Sequence, residues 1–169
     1  MNNSAPLPVR PARGVATVEF AIVSLVFFTM LFAILEFARL LYVHNTLQEV
    51  TRRGARAAVV RWVDQEAAIK QFALFGGTSL PAGAEITSAT INIEYLAANG
   101  NVVTAFPTDP GDNLSACGDA ARTASCIYSV RVSISAVNYS PLLSIFSFLN
   151  VALPTSSVTM PAESMGFST

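Results

Sequence analysis

Hydrophobic and polar positions fall into two regimes along the chain. From Phe20 to Leu35 no residue is charged, and Ser24 and Thr29 supply the only hydroxyls. Counted back through Val15, the apolar run is about 21 residues, close to the ~20 a helix needs to cross a bilayer. From Leu40 to Phe75 there is no proline, and Leu47, Val50, Gly54, Ala57, Ala58 and Arg61 recur in three- and four-residue steps. That spacing predicts a helix with a narrow stripe of small residues, breakable near Gly54 or Asp64 and stopped by Gly76-Gly77. Glu49 stands three and four residues before Arg52 and Arg53, the spacing of ion pairs on a helix surface. Unbroken from Val15 to Phe75, this helix would be on the order of 90 Å long.

Beyond Gly77 the period shortens to two. Ala89, Ile91, Ile93 and Tyr95 alternate with Thr90, Asn92 and Glu94, the pattern of a half-buried strand. Asn99-Gly100 signals a tight turn, with Val102 to Phe106 expected as the returning strand of a hairpin. PTDPGDNLSACGDAARTASC reads as loop. Ile127 to Tyr139 is the strongest strand, with Tyr128, Val130, Val132 and Ile134 on one face. LLSIFSFLN, after Pro141, is too short to span a membrane and is expected to form one or two helical turns on the sheet. A last strand is expected at about Thr155 to Met160. The fold class is α+β: a long N-terminal transmembrane and amphipathic helix followed by a small antiparallel sheet of three to four strands. The boundaries expected are a leader at 1–14, a transmembrane helix at 15–43, an extramembrane extension at 44–75 and an exported α+β head at 76–169.

Composition changes this picture little. Of 169 residues, 12% are charged and 52% apolar, against ~25% and ~45–50% in soluble domains, and the excess lies in the first helix. A net charge of -1 gives no electrostatic support for nucleic-acid binding. With one histidine, His44, no Ser/His/Asp set can be drawn, no glycine loop for a phosphate is present, and neither an enzyme nor a cofactor is expected. Asp109, Asp112 and Asp119 match no calcium-loop spacing and read as a solvated acidic loop. Cys117 and Cys126 are too few for a metal site. In a chain that looks exported they are expected to form a disulfide.

One carboxylate disturbs the apolar run. Glu19 lies where an unpaired acid costs roughly 2.5 kcal/mol or more in lipid, and just before it stand Arg13 and Gly14. Residues 1–12 hold three prolines without periodicity and are expected to be disordered. Arg10 and Arg13 favour a cytoplasmic N-terminus; Arg39, Arg52, Arg53 and Arg56 on the far flank weigh against it, and the cysteine pair restores it. The run is longer than the core of a secretory signal and lacks a small-x-small site behind it. Gly14, a small residue at the membrane edge, suits a peptidase there. Cutting between Gly14 and Val15 would leave a new amine with Glu19 as the fifth residue counted from it, able to pair with that carboxylate on a neighbouring subunit. An uncleaved anchor with Glu19 reaching towards headgroups fits the pattern equally well.

RGVATVEFAIVSLVFFTMLFAILEFARLLYVHNTLQEVTRRGAR resembles the N-terminal region of the TadE-like family, pilin-like components of the tight-adherence (Flp, type IVc) pilus machinery. The features shared are Arg-Gly before Val-Glu-Phe-Ala, the long apolar run, Glu-Phe-Ala-Arg and a helix ending in Arg-x-x-Ala-Arg, over about residues 13 to 58. The resemblance implies a pilin-like fold with Gly14 as the last leader residue, Val15 as the mature N-terminus and Glu19 as the acidic fifth residue, processed by a prepilin peptidase. Two positions depart from the pattern: Ser24-Leu25 stands where members often carry proline, and Val15 where type IV pilins often have an aromatic. The expected function is a minor pilin or pseudopilin in pilus assembly, lodged in a bacterial inner membrane with its C-terminal domain periplasmic or extracellular. Its partners would be the peptidase, other pilins, inner-membrane assembly proteins and membrane lipid. The alternative is an uncleaved single-pass accessory protein scaffolding the same complex.

Overall fold

In the computed structural model residues 13–163 and 165–166 are described; the leader expected at 1–14 lies outside them but for Arg13 and Gly14. Helix α1 runs Arg13–Ala58 without interruption. The chain divides into two units, one ending at Phe37 and the other beginning at Ala38. In the first, the helix carries apolar side chains outward along its length, Phe20 being 74% exposed. In the second, Val43, Leu47, Val50, Gly54, Ala57 and Ala58 form a buried stripe, so the small-residue face read from the sequence is the packed one.

The helix predicted to reach about residue 75 comes in two pieces. Residues 59–65 leave the α-helical path, close to the break allowed near Asp64, and α2 follows at Glu66–Ala73. Val59, Val60 and Val63 are β-branched and lose rotamer freedom in a helix. The Val59 carbonyl, which a continuing helix would use internally, instead accepts from the amides of Glu163 (3.3 Å) and Met165 (3.2 Å). After α2, Phe75 and Gly76 turn with positive φ, and the Gly76 amide reaches back to the Gln71 carbonyl at 2.9 Å. Glu49 makes no ion pair among the described residues. Arg53 lies over the rings of Phe72 and Phe75, at 4.9 and 4.3 Å from their centroids.

Strands β1 (Ser79–Leu80) and β2 (Gly83–Thr87) form a two-stranded hairpin in a stretch where no strand was expected. Two residues in β1 are too few for a periodicity to show. Gly83 explains the close approach of this hairpin to α1: a Cβ there would lie 2.8 Å from Leu80 Cδ2 and 3.3 Å from Val43 Cγ2. A three-stranded antiparallel sheet follows in the order β3 (Ile91–Leu96), β4 (Ser129–Ile134), β5 (Ser156–Pro161). Ile91 faces Ile134 across the first pair and Ile134 faces Ser156 across the second. Val130, Val132 and Ile134 are fully buried, as the alternation required. Glu94 and Arg131 sit directly opposite on the other face with 3.4 Å between charged atoms.

Three expectations need correction. Val102 to Phe106 is no strand: Val102 makes a single bridge to Leu96, and the partner of β3 is the distant β4. Tyr128 precedes β4 and is exposed. The segment taken for loop contains α3, Pro110–Gly118, capped by the Asp109 carboxylate on the Asp112 amide at 2.8 Å. Asn113 clips this helix to the sheet side, its Oδ1 accepting from the Ile127 amide at 2.8 Å. Cys117 and Cys126 are joined. An Arg122 hydrogen bond, helped by the Thr108 amide, holds the Asp112 carboxyl below its usual range. The three aspartates are thus engaged in local structure: a cap, an ion pair, and for Asp119 a bond from the Ala121 amide.

The core joins the α1 stripe to the sheet at one tight point: a Cβ on Gly54 would lie 3.1 Å from Val132 Cγ1 and 3.5 Å from Ala73 Cβ. Gly54→Val should therefore destabilise the head by about 1–3 kcal/mol through overpacking, read from denaturant unfolding in detergent; an unchanged midpoint would show that the seam has slack. Tyr95, 5% exposed, buries a hydroxyl that has no hydrogen-bond partner among the described residues. Desolvation, with smaller contributions from Glu66 and Asp64, pushes its pKa up to about 12 from 10.0. The folded state therefore holds this proton more tightly than the unfolded chain, a contribution complete below pH 10 and lost as pH rises towards 12. Tyr95→Phe should remove this alkaline dependence and, by relieving an unsatisfied group, leave neutral-pH stability equal or higher by about 1 kcal/mol. Unfolding midpoints of the two proteins between pH 8 and 11 check both effects.

Candidate processing and assembly site

Gly14, Val15 and Glu19 all lie in the first two turns of α1. The first four amides of a helix have no acceptor within it, and glycine costs about 1 kcal/mol relative to alanine inside one. The Gly14–Val15 peptide therefore belongs to the part of α1 that opens most cheaply into the extended form a protease requires. A Cβ on Gly14 would meet nothing within 4 Å, so the chain itself sets no steric demand for glycine there.

Glu19 lies on the same face as Val15, Val18 and Ile22 and is exposed. Among the described residues it has neither a hydrogen bond nor an ion pair. Such a group is stable in water and expensive in lipid. The helix carrying it is long and apolar enough to cross a membrane.

A second cluster, in the head, was not anticipated as a site. Arg39 lies in the Glu-Phe-Ala-Arg stretch, and its guanidinium donates to the carbonyls of Ala82 (2.9 Å) and Ser140 (2.8 Å) and to Glu85 Oε1 (2.6 Å). It also lies 4.8 Å from the centroid of the Tyr139 ring. The Arg39 and Glu85 side chains are only 13% and 10% exposed. One turn on, the Tyr42 hydroxyl donates to the Pro81 carbonyl at 3.1 Å. Arg39 thus ties α1 to the β1–β2 turn and to the chain after β4. A charge closing an apolar run was the available signal, but its partners are 43 to 101 residues away, beyond any local pattern. His44 is half-buried beside Leu47 and the 154–158 segment.

The catalytic geometry of an enzyme does not emerge from these groups, and among the described residues no cluster of three metal-ligating side chains forms. Residues 14–56 match the family model described as TadE-like protein. No curated protein and no solved structure matches the chain significantly.

Removing Arg39 would leave Glu85, whose Oε2 is already without a hydrogen bond among the described residues, as a buried uncompensated carboxylate. Arg39→Met should cost about 3–5 kcal/mol. The double variant Arg39→Met, Glu85→Gln should cost less than the sum of the two single changes. Strict additivity in unfolding measurements would mean that the pair is not coupled.

Proposed function

We propose that this chain, TadE-like over residues 14–56, is a minor pilin or pseudopilin of a tight-adherence pilus system, cut by a prepilin peptidase between Gly14 and Val15. The family match carries this reading. It opens at Gly14, runs through Glu19 and the apolar run, and ends at Arg56. A TadE-like segment supports involvement in the Tad pilus system; the finer role rests on the chemistry of its first residues.

The first half of α1 is taken as the membrane anchor, with the N-terminus cytoplasmic and the head exported. The sequence alone suggested a span of 15–43. We put its far end before Arg39, because Arg39 and Tyr42 are bonded to the head and Val43 is in its core. The remaining 15–38 stretch still exceeds the ~20 residues that a bilayer requires. The cysteine bridge suits an oxidising exterior.

The mechanism is assembly. Cleavage removes the basic leader and creates an amine at Val15. Glu19, which has no partner among the described residues, pairs with the Val15 amine of an adjacent pilin, and the cost of an unpaired carboxylate in lipid penalises every other register. The head then decides which pilins and inner-membrane assembly proteins are engaged. The chain acts as a peptidase substrate, not as an enzyme. An uncleaved accessory protein remains the second reading, favoured by the exposure of Glu19 at the end where headgroups would lie.

The N-terminal residue of the protein made beside its own prepilin peptidase separates the two. Val15 is expected for the native chain and Met1 for Gly14→Ala, whose added methyl the helix tolerates. Glu19→Gln should still be cut, but its recovery with other pilins should fall at least about tenfold, the equivalent of ~1.4 kcal/mol. Intact Met1 in the native chain, with pili unaffected by Gly14→Ala, would sink the pilin reading.

A further inference from the structure

We infer that residues 141–151 form a second, interfacial membrane contact, dipping apolar side chains into the bilayer surface where α1 enters the head. The inference rests on the reading of 15–38 as membrane-spanning.

The order of contacts along α1 gives the head a direction. Val59 receives Glu163 and Met165, Gly54 faces Val132, and Arg39 holds Ser140. Residues 39 to 54 of a helix cover about 22 Å, and Ser140 follows Val132 along β4 and a bend at Ala136, where φ is 56°. β4 and its continuation therefore run antiparallel to α1, back towards the end of the head from which the apolar run departs. There the chain turns and climbs again. The turn is clamped by Tyr139 N–H to the Val151 carbonyl (2.9 Å) and Leu153 N–H to the Val137 carbonyl (2.8 Å).

What projects beyond this clamp differs from the expected packing on the sheet. Residues 144–149 form a 3-10 helix in which Phe146 is buried. The backbone of Phe146 is non-helical (φ -102°, ψ 23°), so the segment is two short turns joined at a kink that turns this ring inward. Ile145 and Phe148 flank the buried Phe146, Leu142 precedes the first turn, and these three are 64%, 74% and 74% exposed. The groups between are the uncharged Ser144, Ser147 and Asn150, and no charged residue occurs between Arg131 and Glu163. The ring of Phe148 is set edge-on to that of Phe146 at 6.2 Å, which fixes the direction of the outward side chain.

A lipid surface is the occupant that this composition and position favour. The loop offers apolar tips with hydroxyl and amide groups at headgroup height, and no ion to desolvate. It stands level with Arg39 and Tyr42, residue types that settle at the membrane–water boundary. The head would then hold the lipid surface itself, in addition to the attachment that the span provides.

The test uses the full-length chain in phosphatidylcholine vesicles at low protein-to-lipid ratio. The background is Trp62→Phe, which removes the only tryptophan, and the probes are Phe148→Trp and Phe28→Trp. Lipids brominated high or low on the acyl chain serve as quenchers. The Phe148→Trp protein should show blue-shifted emission quenched mainly by the shallow bromines. The Phe28→Trp protein should be quenched mainly by the deep ones, and native Trp62 by neither. Quenching in Phe28→Trp without quenching in Phe148→Trp overturns this inference and leaves the membrane span standing. Absence of quenching in both overturns the span and this contact with it. Shielding in Phe148→Trp that appears only as the protein-to-lipid ratio rises assigns the patch to a second copy of the chain and overturns the lipid contact.

Discussion

Between Arg13 and Ala58 the backbone of α1 satisfies its own hydrogen bonds, but its side chains need covering along nearly its whole length, and the two halves find different cover. From Ala38 onward the chain supplies it: the hairpin, the sheet and the tail close on a stripe of small residues, and Gly54 admits Val132 so closely that a Cβ at 54 would lie 3.1 Å from its Cγ1. Over residues 14–35 it supplies little, and Glu36 is the first buried residue of the helix among those described. Val15, Phe20, Leu25, Met30 and Ile34 are all exposed, an apolar surface that water tolerates poorly. Every other feature follows from this division. The head holds residues 39–58 of the helix, and an apolar surface like that of residues 14–35 is one that lipid or other helices cover more favourably than water does.

Arg39 marks the change of cover. Its three acceptors and the Tyr139 ring fix the helix against two separate segments of the head. A guanidinium suits this place because it is always charged and presents donors in a rigid fork. A lysine could hold at most a subset of the same carbonyls in that geometry. The cost of burying Arg39 and Glu85 is met by these bonds only while all remain intact, so the junction is either closed or strongly unfavourable.

The sequence made the periodic parts of the fold legible. The helical stripe at 47–58 and the alternating burial of β4 depend on one element meeting one core, and both follow from spacing alone. What was not legible depends on partners far apart in the chain. Val102 to Phe106 carries the letters of a strand next to a turn signal, yet β3 takes β4 as its neighbour, because Val130, Val132 and Ile134 bring a complete apolar face to α1 and Val102 to Phe106 do not. The loop around α3 hid a helix because its residues are cap and turn formers, which read alike whether they start a helix or avoid one. For the site, Gly14 and Glu19 were visible as anomalies in an apolar context. Arg39 was visible only as a charge ending that context, and its role required Glu85 and Ser140 from distant segments.

The two ends of the apolar run now differ in kind. At its far end Arg39 is a charge whose partners belong to the same chain, so its energy is settled on folding. At its near end Glu19 is a charge with no such partner among the described residues, and folding leaves its energy open. In water that is inexpensive; in lipid it is a standing penalty of roughly 2.5 kcal/mol or more, removed by whatever brings a cation to it. A group placed in this way makes the bound state of the helix more favourable without strengthening the isolated one, which is the condition for assembly driven by a neighbour and not by the chain alone. The same reasoning explains why a new amine at Val15 would matter more than the loss of the leader itself. It converts an end that needs a partner into one that also offers one, and a helix with both can stack on copies like it.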